Sequence, residues 1–169
     1  MVQLIKGSRI IQITVVFILG MLLIAPASAN GIPQESPVYT HIVEDGTFAD
    51  TLDAVKEIIK GRGINIAHTL PPSDMLQRTG AAFGVTEQVL KDGERIEFCS
   101  AKISHQLIQA NPENITLCPF TISVYVLNSD PKNVRLTFRK PFVIDDASKA
   151  AVDAMSGLIM EIIQEAADW

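Results

Sequence analysis

The chain has 169 residues, 47% hydrophobic and 20% charged, with 14 Lys and Arg against 19 Asp and Glu. That apolar content supports a packed core and excludes a disordered chain, and two cysteines exclude a disulfide-dense miniprotein. A formal charge of −5 excludes general affinity for nucleic acid, which needs clustered Lys and Arg against phosphate.

Residues 1–29 contain no acid. Lys6 and Arg9 form a basic start, residues 10–24 an apolar run, and Ala25-Pro26-Ala27-Ser28-Ala29 a helix break with two small side chains. This is the tripartite pattern of a secretory signal, cleaved after Ala29. The other reading is an uncleaved anchor, but the 15-residue run falls short of the roughly 20 that span hydrocarbon. The sequence therefore predicts a cleavable signal peptide over 1–29, a Pro- and Gly-containing flexible lead over 30–37, and a single domain over 38–169. Losing Lys6 and Arg9 while keeping all 19 acids takes the charge from −5 to −7. The expected product is acidic, periplasmic or secreted, and free of the membrane once cleaved.

Residues 38–43 are β-branched and aromatic, as in a strand. Thr47 is placed to cap a helix whose apolar stripe is Phe48, Leu52, Val55 and Ile59, with Asp50 at its positive end. Gly61-Arg62-Gly63 ends that helix. Residues 64–70 read as a second strand stopped by Pro71-Pro72, and 73–83 as a short helical or irregular cover with Met75, Leu76 and Phe83. A third strand lies near 95–99, and 102–111 reads as a short helix ended by Pro112. Along 118–127, Phe120, Ile122, Val124 and Val126 alternate with Thr121, Ser123 and Tyr125, which defines two strand faces. A turn over 128–133 returns the chain as a hairpin strand over 134–139. Ser148 is the expected cap of a long final helix carrying Val152, Met155, Leu158, Ile159, Ile162 and Ile163. The sum is an α+β fold: two layers, an antiparallel sheet of about five strands with helices on one face.

The stretch Glu97-Phe98-Cys99-Ser100-Ala101-Lys102-Ile103-Ser104-His105, then Ala110-Asn111-Pro112-Glu113-Asn114 and Leu117-Cys118-Pro119-Phe120, resembles the domain of unknown function 302 family. The likeness covers roughly residues 38–141. Its signature is a small-residue strand end, a helix with His, an Asn-Pro turn and a Cys-Pro strand start. The resemblance implies a compact α+β fold, often a homodimer, and no settled reaction. This chain departs from the pattern at Ala101, where the family often has proline, which bears on the local turn.

Within that stretch Ile103, Leu107 and Ala110 form the inward stripe of the helix, while His105 lies on the opposite side beside Ala101 and Ile108. One reading is a surface histidine bonded to a turn. The other is a metal ligand, haem iron being the concrete case, because neutral imidazole is the commonest metal ligand. Ala101 and Ile108 then form part of a cofactor-binding face closed by a second copy in a homodimer. No C-x-x-C-H occurs, which excludes covalent haem attachment.

Cys99 and Cys118 leave three readings open: a disulfide, two separate thiols, or metal or sulfur chemistry. Export favours a bridge. Strand alternation speaks against one, since it puts Cys99 with Arg95 and Glu97 but Cys118 with Phe120 and Ile122. His41 and His68 read as a structural pair across the sheet, and Arg135 and Arg139 as flanking Thr137 on an exposed face. Asn114-Ile115-Thr116 matches a glycosylation acceptor, which matters only in a eukaryotic secretory route. No Gly-rich phosphate loop, nucleophile elbow or paired carboxylates stand out, and no catalytic residue is assigned. The expected function is a small exported binding protein holding haem or another metal-containing or apolar ligand. The alternatives are a partner-docking module without ligand and a thiol enzyme using Cys99 or Cys118, with His105 tuning the thiol.

Overall fold

In the computed structural model, which describes residues 36–169, five strands form one antiparallel sheet in the order β1-β5-β4-β3-β2. They are β1 (Val38–Val43), β2 (Ile66–Leu70), β3 (Leu90–Phe98), β4 (Phe120–Leu127) and β5 (Asp130–Arg139). Four helices accompany them: α1 (Phe48–Gly61), α2 (Pro72–Thr79), α3 (Ala101–Ala110) and α4 (Lys149–Ala167). The signal segment, its cleavage point and most of the lead lie outside the described residues.

β4 lies at the centre, and its alternation decides which face is covered. Ile122 and Val124 are fully buried, and the register sets Ile96 against Ile122 and Val124 against Leu136, so one apolar band crosses three strands. Leu52, Val55 and Ile59 of α1, Ile103 and Leu107 of α3, and Val152, Met155 and Ile159 of α4 bury themselves in the same core. The fold is α+β. Helix α2 is placed differently: Ser73 donates to the Gly93 carbonyl (3.0 Å), and Gly93 pairs with Tyr125, away from the core band.

Thr47 caps α1, accepting from the Asp50 N–H (3.2 Å). The final helix starts otherwise than expected. A 3-10 turn over Asp146–Ser148 precedes it, and the cap is Asp145, whose Oδ1 accepts from the Ser148 N–H at 2.7 Å. Ser148 makes no side-chain cap of α4 and is fully buried. β3 begins at Leu90, earlier than alternation suggested, because Lys91, Asp92 and Gly93 hide the strand's period. The hairpin turn is shorter than expected: Leu127 already pairs with Asp130, and the register shifts beside it. Pro131 sits in that irregularity, where a missing ladder donor is tolerated.

His41 and His68 are not neighbours, because β1 and β2 are opposite edges of the sheet. Alternation places a residue on a face but says nothing of strand order. Arg135 is not a free cation either: its guanidinium lies 2.6 Å from Asp130, holding that carboxyl below its usual range with help from Asn133. Thr137 beside it is buried and Arg139 is exposed.

Candidate functional site

The chain leaves the sheet at Cys99, forms α3, and returns at Cys118. Those two residues are joined by a disulfide with a Cα–Cα distance of 6.1 Å. Strand alternation pointed the other way because it does not reach this far. Phe98 and Phe120 are the last paired residues of β3 and β4, and both cysteines lie beyond them. The Cys118–Pro119 peptide is cis. No free cysteine remains among the described residues, so the thiol-enzyme reading has no resting thiolate behind it.

Both ends of α3 are fastened. At its start the Ser100 hydroxyl accepts from the Ile103 N–H (3.5 Å), and the Ser104 hydroxyl lies 3.9 Å from the Cys118 sulfur. At its end the Leu107 carbonyl accepts the helix's last i→i−4 bond from the Asn111 N–H (3.0 Å) and a second bond from Asn114 Nδ2 (2.9 Å). Asn114 Nδ2 also donates to the Ser148 hydroxyl (2.8 Å), while its Oδ1 has no hydrogen-bond partner among the described residues. Asn111 turns the next corner: its Oδ1 accepts from the Glu113 N–H (2.9 Å), and its Nδ2 donates to Asp145 (2.7 Å). The Asn111 amide, then Ser148, hold the Asp145 carboxyl below the usual carboxylate range. Asn114 is 1% exposed with both amide hydrogens engaged, so the glycosylation acceptor read from the sequence is closed in the folded chain.

What remains of α3 points outward. Ile103 and Leu107 are its buried residues; Ala101, His105 and Ile108 are exposed, Ile108 by 41%. The His105 imidazole makes no hydrogen bond or ion pair among the described residues, and it borders neither the hollows along the α3–α4 groove nor those at the start of α1 and beside Gly93. Two adjoining hollows follow the groove between α3 and α4, of about 470 and 290 Å³, and share Gln106 and Ala154. Lys102 borders the first and Gln109 the second. Arg62, on the rim of the first, is held by Glu165 (2.7 Å) and Glu161 (3.0 Å), chiefly the former, which raises its pKa. A third hollow of about 470 Å³ at the start of α1 is bordered by Asp45, Asp50, Asp53 and Glu57. Among the described residues no three His, Cys, Asp or Glu converge as a metal cage. His105 is thus a lone donor.

The model of the family described as domain of unknown function DUF302 matches residues 39–166. The chain belongs to that family. The DUF302 match runs on through most of α4, past the 38–141 stretch legible from motifs. A crystal structure of an uncharacterized conserved DUF302 protein from Bacillus stearothermophilus is similar, with a TM-score of 0.64 at 15% identity, covering 78% of this chain and 99% of that one. At that identity the likeness speaks for the fold alone. A comparison with curated proteins found no match. In this DUF302 chain six of the residues that carry the motif resemblance, Cys99, Ser100, Ser104, Asn111, Asn114 and Cys118, act in fastening α3. Asp145 and Ser148 complete that fastening. The one sequence signal for them was an acidic residue three places before a serine.

Proposed function

We propose that this chain is an exported binding module and that α3 is its recognition element. The observation that carries the reading is the way α3 is held. A disulfide clamps its root, amide hydrogen bonds clamp its end, and Ala101, His105 and Ile108 are left exposed on a helix that cannot easily shift. A binding surface gains from such rigidity because less order has to be imposed when the ligand arrives. Export is supported by the signal pattern at 1–29 and by the disulfide, which persists in oxidising compartments.

For ligand class, the chemistry of the face favours an apolar, metal-bearing molecule, with haem as the concrete case. The His105 ring has no intramolecular partner, so it can donate a nitrogen to a metal without breaking an existing bond. Ala101 leaves room beside it and Ile108 offers apolar contact. One chain supplies the donor and one wall; the opposite wall must come from another protein surface. The test is an absorption titration with haemin. Wild type should give a saturable Soret shift, His105→Ala should lose it, and Gln106→Ala, on the groove side, should keep it. No shift, or one unchanged in His105→Ala, would overturn the haem assignment.

A further inference from the structure

The face of the sheet away from α1, α3 and α4 holds a hollow of about 270 Å³ beside the start of α2. On β4, Ser123 and Tyr125 alternate with the buried Ile122 and Val124, so they point to this face. The register sets Thr137 of β5 against Ser123 and Gly93 of β3 against Tyr125. All four border the hollow, together with Pro72 and Leu90. The Ser73 bond to the Gly93 carbonyl (3.0 Å) fixes α2 along one side. Glu94 is the one charged residue on the border, and its charge is answered elsewhere. It stands opposite the buried Val124, and its carboxylate pairs with Lys56 of α1 at 2.7 Å.

A buried hydroxyl in this wall lacks a partner. Thr137 is 9% exposed, and its hydroxyl makes no hydrogen bond among the described residues; neither do those of Ser123 and Tyr125. The Thr137 oxygen is not sealed in, because the wholly enclosed side-chain atom without a partner is Asn114 Oδ1. A desolvated hydroxyl costs stability until something supplies the missing bond. What supplies it has to suit the walls. Pro72, Leu90 and the Tyr125 ring are apolar, and a charged molecule would leave water without meeting an opposite charge. The three hydroxyls can each donate and accept, so they suit one neutral polar group. An apolar cavity of about 150 Å³ admits benzene; about 270 Å³ therefore admits one ring with a short polar substituent.

We propose that this hollow binds a small uncharged phenol or aromatic alcohol, its hydroxyl meeting Thr137 and its ring lying against Pro72, Leu90 and Tyr125. The site lies on the opposite face of the sheet from α3 and stands independently of that reading. The test titrates para-cresol into isotopically labelled mature chain, with toluene and benzoate as comparisons. Para-cresol should give saturable amide shifts at residues 90, 93, 123, 125 and 137. Toluene, lacking the hydroxyl, should bind about tenfold more weakly, and benzoate should not bind. Thr137→Val keeps the side chain's shape and removes its oxygen. It should weaken para-cresol about tenfold, leave toluene unchanged, and unfold in urea at or above the wild-type midpoint. In Gly93→Ala the added carbon lies in ordinary contact with Leu90 (3.5 Å) and Tyr125 (3.6 Å), so the variant should fold and bind both rings less well. Absence of saturable shifts, equal affinity for para-cresol and toluene, or benzoate binding as tightly as para-cresol would each overturn the proposal. So would a Thr137→Val variant that binds para-cresol like wild type or unfolds at lower urea.

Discussion

Asp145 shows how one side chain can hold two elements. It accepts from the Asn111 amide and from the Ser148 N–H, so it joins the end of α3 to the start of α4. Its carboxyl titrates below the usual range, so its contribution is present above the unfolded-state pKa and is lost as pH falls through the lower, folded-state value. Asp145→Asn should therefore unfold at a lower temperature than wild type at neutral pH, with the gap closing in acid. A gap constant across pH would show that the charge plays no part. The sequence made Ser148 a visible cap candidate and left Asp145 hidden, because propensity marks residues that cap helices but not which of two neighbours starts the chain's turn. Asn114 was hidden for a related reason. Its role depends on a carbonyl seven residues back and a hydroxyl far along the chain, and neither leaves a local pattern.

At the scale of elements, what repeats at a regular period was legible and what lies between periods was not. The α1 stripe, the alternation of β4 and the outward placement of His105 on α3 all follow from spacing. The cysteines defeated the same reasoning because they lie past the last paired residues, Phe98 and Phe120, where alternation has no ladder to act on. The disulfide closes a loop with a sequence separation of 19 around the whole of α3. Constraining a loop of that size in the unfolded chain stabilises by about 3 kcal/mol. Replacing both cysteines by serine should lower the unfolding free energy in urea by about that much. A loss near zero would mean that the hydrogen bonds at the far end of α3 hold the helix unaided.

For the molecule as a whole, the sequence fixes class better than connection order. An acidic α+β chain is readable from charge and pattern, whereas the edge positions of β1 and β2, and hence the separation of His41 from His68, emerge only when five strands compete for neighbours. Export belongs to this scale too. The full chain made in a secreting bacterium should be recovered outside the cytoplasm beginning at Asn30, and recovery with Met1 intact in the membrane fraction would favour the anchor instead.

The proposed ligand surface is the exposed face of α3. Gallium protoporphyrin, diamagnetic and haem-shaped, can be titrated into isotopically labelled protein while amide resonances are followed. The predicted outcome is saturable shifts concentrated at residues 101, 105 and 108 and absent in His105→Ala. Shifts centred on 70–89 or along the α3–α4 groove, or none at all, would contradict it.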